Sequence, residues 1–350
     1  MAYTTIDDPS EYFQTKLWSG NGVAGTSITN DGNSDLQPDF FWAKVRNHTY
    51  NHIVLDSTRG LTKRIIPNSS DAEDTFSGFM DSFDTDGFTL DNDVNTNESG
   101  KTYVAWQWKA NGGTTSSNTS GTITSTVQAN TTAGFSIATY TGNGTAGATF
   151  GHGLGVVPSW VIVKSRDSAQ QWAVYHHKNT DEPETEILNL NLNNATVDNA
   201  NRWNDTAPTS TLLTIKQSGE VNNSGEKYVA YFWNEVKGYS KFGSYKGNGN
   251  ADGTFVYTGF KPAWVMVKKT SDAHSWFIQY GSTGIDTGDQ GSNPVKFSLQ
   301  ANSDSADATE NSMDFVSNGF KIRTSGNGHN TSGGTYVYMA FAEHPFVSSE

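Results

Sequence analysis

The chain repeats itself three times, and no other feature narrows its fold as far. Runs ending in an aromatic residue and a Gly-Asn-Gly turn occur at Phe13 to Gly22, Phe135 to Gly144 and Ser240 to Gly249, with Trp18, Tyr140 and Tyr245 at one position. Each leads to a proline-headed segment, PDFFWAKVR from Pro38, PSWVIVKSR from Pro158 and PAWVMVKKT from Pro262. These bring Phe40, Trp160 and Trp264 together, and likewise Lys44, Lys164 and Lys268. A second apolar run follows: NHIVLD (Asn51 to Asp56), QWAVYH (Gln171 to His176) and SWFIQY (Ser275 to Tyr280). FDTDGFTL from Phe83 matches FVSNGFKI from Phe315, and GKTYVAWQW, GEKYVAYFW and GGTYVYMAF, from Gly100, Gly225 and Gly333, close the unit. The prolines lie 120 and 104 residues apart and Tyr103, Tyr228 and Tyr336 lie 125 and 108 apart, a period of about 110.

The matched runs are short, rich in β-branched and aromatic residues, and separated by Gly, Asn, Asp and Ser clusters, which is the pattern of strands and turns. Helical periodicity with caps is missing. A unit of several short strands must cover the apolar face of one sheet with another. The expectation is therefore an all-β chain of three tandem β-sandwich, jelly-roll-like repeats of about 100 residues. The boundaries are an N-terminal arm at 1–12, repeats at 13–110, 134–237 and 238–350, and a Gly/Ser/Thr linker or added strand at 111–133. Within that linker the first half reads as flexible and TITSTVQA alternates like an edge strand. The short join NEVKGYSKFGSY predicts a fixed interface between the second and third repeats. VIVK and VMVK are apolar on both pleat faces, as in a central strand, with Lys164 and Lys268 marking its emergence into water. Phe40, Trp160, Trp264, Tyr103, Tyr228 and Tyr336 recur in every unit and are expected in the core.

Composition excludes several classes. Twenty-three basic residues against 36 acidic ones give a formal charge of −13, and no basic cluster exists to neutralise phosphates, so nucleic acid is not expected as a partner. Without cysteine there are no disulfides or thiolate metal sites. The start, MAYTTIDDPSEYF, lacks the layout of a signal peptide, and no apolar run approaches the roughly 20 residues that span a bilayer, so no membrane insertion is expected. Ten Trp, 14 Tyr and 19 Phe predict an aromatic core.

The acidic run Asp81 to Asp93 resembles a calcium loop, but its counterpart keeps only the turn: Asp86-Gly87 matches Asn318-Gly319, while Val316 and Ser317 replace Asp84 and Thr85. His176 and His177 are neighbours on a strand and leave opposite faces, so they cannot chelate one ion together. His48, His52, His152, His274, His329 and His344 show no ligand spacing. Asp71, Glu73 and Asp74, and Asp181, Glu182 and Glu184, read as solvated loops. No nucleophile elbow, phosphate loop or zinc-protease helix is present, so the expectation is a non-enzyme with no catalytic residue, metal or cofactor. Aromatic rings stack on the apolar faces of sugars, which makes Trp172, Trp276 and Tyr280 candidate glycan-binding residues. For Trp203, in a long polar loop, glycan binding and loop packing both stand. Asn118, Asn143 and Asn222 head Asn-x-Ser/Thr triplets that carry no weight without a secretory signal.

IDDPSEYFQTKLWSGNG, NTTAGFSIATYTGNG with GHGLGVVPSWVIVK, VKGYSKFGSYKGNGNADGTFVYTGFKPAWVMVK and TYVYMAFAEHPF resemble a repeat family of virion structural and tail-fibre-like proteins of marine bacteriophages, including phages of cyanobacteria and Pelagibacter-like hosts. The resemblance covers nearly the whole chain and is weakest in the linker. It implies a β-rich particle component without a known active site, carried on the virion exterior after assembly in the host cytoplasm. Its partners would be other virion proteins, on the tail facing the host or on the capsid as a decorating knob or fibre. With 350 residues and no shaft repeat, the chain fits a compact knob or adaptor. The arm at 1–12 is then the natural anchor, with Asp7, Asp8 and Glu11 meeting a basic patch. The alternative is a carbohydrate-binding module for host surface glycans, acting through Trp172, Trp203 or Trp276. A homo-oligomer suits a tail appendage and a monomer suits a knob.

Overall fold

The matched runs pair in one order three times. In the first sheet Phe13–Ser19 lies beside Thr102–Trp108, then Phe40–Val45, then Ile53–Asp56. The second sheet contains the same series as Phe135–Thr141, Lys227–Trp233, Trp160–Ser165 and Ala173–His176, and the third as Ser240–Lys246, Thr335–Phe341, Trp264–Lys269 and Trp276–Tyr280. All pairs are antiparallel and the registers coincide: Phe13 faces Trp108, Phe135 faces Trp233 and Ser240 faces Phe341. This computed structural model describes residues 4–281, 293 and 295–344; the ends of the expected arm and third repeat, 1–3 and 345–350, lie outside them. Among the described residues helix is confined to the short turns Pro9–Glu11, Pro183–Thr185 and Asn327–Asn330, and no helix is long and apolar enough to cross a membrane.

Each sheet buries both faces, and strand alternation decides which residue goes where. Phe40, Trp42, Trp160, Ile162, Trp264 and Met266 point to one cluster shared by all three sheets. Phe41, Ala43, Val161, Val163, Val265 and Val267 point the other way, into a separate cluster behind each sheet. The shared cluster is dense in indoles: Trp160 stacks on Trp233 with centroids 4.2 Å apart, and Trp108 meets Trp264 edge-on at 90°. Such pairs add about 0.5–1.5 kcal/mol each beyond the area they bury.

The same alternation corrects the reading of the lysines. Lys44, Lys164 and Lys268 fall on the shared-core side at the strand end and are 0% exposed, so none emerges into water.

The Gly-Asn-Gly landmark has a local cause repeated in each sheet. Trp18 Nε1, Tyr140 Oη and Tyr245 Oη donate to the carbonyls of Thr96, Val221 and His329. The next residue in each case, Asn97, Asn222 or Asn330, accepts the amide of Asn21, Asn143 or Asn248 on its side-chain oxygen, at 2.8–3.0 Å. Tyr103, Tyr228 and Tyr336 stack on the turn aromatics, and each hydroxyl receives an amide at 2.8 Å, from Glu98, Asn223 or Thr331. The leading glycine is required by close approach: a Cβ at Gly20 would sit 2.2 Å from the Glu98 carbonyl oxygen.

The sheets differ in what they add. The second grows to eight strands, taking Ser116–Asn118 and Ser125–Asn130 on one edge and Glu186–Asn189 and Val197–Asp198 on the other. The residues before those first two strands, expected as flexible linker, are held: the Asp39 carboxylate accepts the amides of Ala110, Gly112 and Gly113 at 2.7–2.9 Å. The third sheet adds Val295–Gln300, Ala308–Val316, Gly319–Ile322 and Phe255–Tyr257 and curls towards closure, with Thr254 Oγ1 donating to the Lys246 carbonyl of its first strand.

Candidate functional site

Buried polar chemistry gathers where neighbouring sheets meet. His52, Trp172 and Trp276 share one position, and each spans a junction. His52 Nε2 lies 3.1 Å from the Gln300 carbonyl, Trp172 Nε1 donates to the Ile66 and Ser69 carbonyls at 3.0 Å, and Trp276 Nε1 donates to the Asn189 carbonyl at 2.8 Å. The first sheet thus reaches the third, the second the first, and the third the second. Backbone bonds trace the same circuit: the amides of Asp307, Glu73 and Thr196 donate to the carbonyls of Arg46, Arg166 and Thr270.

The three equivalent lysines complete these seams. Each Nζ donates to the carbonyl after it, of Val45, Ser165 or Lys269, and Lys164 and Lys268 also reach Ser70 and Asn193 across the junction. Burial pushes Lys44 and Lys164 down to about 8 and Lys268 down to about 7. An amine that loses its proton near neutrality can act as base or nucleophile where a substrate reaches it. Here the ammonium groups are sealed and aimed at carbonyls, so their chemistry serves the seam.

Charge fills the junction between the first and second sheets. Arg59 is bound by Asp56 at 2.5 Å and Glu73 at 2.9 Å, Arg166 grips Glu73 through two bonds at 2.8 and 2.9 Å, and Tyr231 donates to Asp56 at 2.6 Å. Burial would raise the Glu73 carboxyl, but the Arg166 bonds and the Arg59 charge outweigh it and hold the group below its ordinary value. Glu73 is therefore no solvated loop residue, unlike the exposed Asp181 and Glu182. Between the first and third sheets, Arg46 donates to both Tyr280 and Asp307, and Tyr280 donates to Asp307. Between the second and third, His176 Nε2 lies 3.1 Å from the Tyr338 carbonyl, and burial pushes its pKa down to about 3. Among the described residues no group of three or more His, Asp or Glu side chains could hold a metal ion.

These placements overturn the aromatic platform expected for glycans. Trp172, Trp203, Trp276 and Tyr280 are all 0–1% exposed. Trp203 belongs to the separate core of the second sheet, edge-on to Tyr175, with its Nε1 on the Glu186 carbonyl. Large rings contribute most to stability when covered on both faces, and here other sheets or loops cover them. The anchor residues separate as well. Asp8 caps the Pro9–Glu11 turn, accepting from the Ser10 amide and from the Ser10 and Ser34 hydroxyls, while Asp7 is exposed and Glu11 half-buried. The arm itself is built in, with Ile6 in the shared core.

Between the second and third sheets lies a cleft of about 770 Å³, with His177, Lys178 and Asp181 on one wall and Ser244, Lys246 and Thr335 on the other. The matching place between the first and second sheets is filled by Gln128 of the added strand, which donates to the Ser57 and Thr58 hydroxyls. Sequence reasoning passed over Lys178, Ser244 and Lys246. The signal was the difference in connection length, 26 residues from Lys109 to Gly134 against six from Asn234 to Tyr239.

Fold and junctions define an all-β protein in which three sheets stand around one aromatic core. The chain belongs to the family described as a domain of unknown function (DUF7483), which it matches over residues 8–345. No curated protein and no solved structure compared with it is a match.

Proposed function

We propose that the protein is a non-enzymatic structural component of a bacteriophage particle exterior, built as three tandem jelly-roll-like β-sandwich repeats closed into a ring. It is either a tail-attached knob or adaptor facing the host or a knob decorating the capsid, with other virion proteins as partners. The observation that supports this best is where the buried polar groups act. Arg46, Glu73, Trp172, Trp276, Lys164 and Lys268 each tie one sheet to the next. Side chains locked this way make a rigid block that leaves loops and strand edges to face partners. The acidic balance, −13, also keeps the chain off nucleic acid during assembly. A carbohydrate-binding role would need an aromatic platform outside Trp172, Trp203, Trp276 and Tyr280.

The test is to locate the protein on purified virions by cryo-electron microscopy, comparing particles with and without it. Extra density on capsid or tail is the expected result and assigns the placement. Absence from the particle would overturn the proposal.

A further inference from the structure

The second and third sheets treat their first strand differently. In the second, Ser125–Asn130 covers the outer edge of Phe135–Thr141, with Thr126 opposite Thr139 and Val127 opposite Ala138. In the third, Ser240–Lys246 is itself the edge, and the six-residue connection before it brings no further strand.

Its backbone shows what is left over. The ladder to Thr335–Phe341 is bracketed by bonds from the Ala342 amide to Tyr239 and from the Gly247 amide to Gly334, so odd-numbered residues bond inward and Phe242, Ser244 and Lys246 turn their backbone groups outward. Two outward carbonyls are taken, Phe242's by His177 Nε2 at 2.9 Å and Lys246's by Thr254 Oγ1 at 2.7 Å. Among the described residues, the amides of Ser244 and Lys246 and the carbonyl of Ser244 have no partner and belong to exposed residues, while Phe242 is covered. Beside them lies the open cleft, flanked by the exposed Lys178 and Lys246.

We propose that this edge accepts an extended segment of a partner polypeptide, which completes the third sheet as Ser125–Asn130 completes the second. Two donors and one acceptor suit a short antiparallel strand. One of its residues exchanges both bonds with Ser244, and the carbonyl two places before that residue accepts from Lys246. The side chains that fit are hydroxylic, as in the strand on the second sheet, or acidic, because Lys178 and Lys246 flank the cleft. A second copy of this edge does not fit, since pairing Ser244 with Ser244 would set Lys246 against Phe242, whose carbonyl His177 already holds. The inference does not depend on where the protein is carried.

A synthetic peptide with the sequence of residues 122–131, TITSTVQANT, is the probe, added at millimolar concentration to the full chain. Amide hydrogen exchange is expected to be fast at Ser244 and Lys246 in the chain alone and to slow at least tenfold with peptide. Ser244→Pro removes one outward amide without touching the ladder, and it should abolish the protection while leaving the melting temperature in place. Slow exchange at those two amides in the chain alone, or no slowing by peptide, overturns the proposal. So does equal protection in the Ser244→Pro chain. If that variant does not fold, the exchange measurements on the unsubstituted chain decide alone.

Discussion

At the scale of single residues, the indoles divide by whether their N–H finds an acceptor. Trp172 Nε1 serves two carbonyls of the first sheet's region, whereas Trp160 Nε1 is buried without one, among rings. Trp172→Phe should therefore cost about 1–3 kcal/mol more than Trp160→Phe, because it strands buried carbonyls as well as losing ring volume. Urea midpoints of the two variants check this, and equal losses would show that the junction bond contributes nothing. The strand position of Trp172 was readable in advance. His52, Trp172 and Trp276 align in the second apolar run, but the two indoles were expected on an exposed face, because a histidine in the first unit hides the shared burial. Nor could the carbonyl each one meets be read, since that belongs to another sheet.

At the scale of elements, turns were the most legible feature, because their chemistry is local. Asp86-Gly87 and Asn318-Gly319 both close hairpins, pairing Asp84 with Gly87 and Val316 with Gly319. Gly87 has φ of +103° and a Cβ there would lie 2.0 Å from the Ile28 carbonyl oxygen. Gly87→Ala should lower stability by more than the about 1–2 kcal/mol that left-handed backbone alone costs, read from thermal melting. A loss below that would mean the turn relaxes. Strand ends were less legible: alternation placed the lysines on a face, but only the neighbouring sheet decided that this face stays covered at Lys44, Lys164 and Lys268.

At the scale of the whole molecule, the sheets form a circuit whose last contact, third sheet to first, has no connecting peptide. Phe13 stacks on Phe341 there, and Glu343 lies buried beside Thr15, its pKa pushed up to about 8 by burial. A carboxyl raised from 4.5 contributes stability fully present below pH 4.5 and lost as pH rises through about 8. The lysines work in the opposite sense. Lowered from 10.5, they contribute stability present above pH 10.5 and lost as pH falls through about 8, or about 7 for Lys268. Glu343→Gln should remove a fall of about 1.4 kcal/mol per pH unit on the acid side of 8, and Lys268→Met an equal rise on its alkaline side. Urea unfolding across pH 5 to 10 checks both, and unchanged slopes would place these groups in water.

The sequence by itself determined the β class, the threefold recurrence and the turn and core positions within each unit, because strand alternation and turn geometry depend on residues close along the chain. Tertiary structure alone decided that the inner faces meet in one core, that Trp172, Trp276 and the lysines are sealed at junctions, and that the first strand of the third sheet gains no added strand. Those outcomes depend on contacts between residues such as Trp172 and Ser69, 103 positions apart, whose pairing no local pattern records.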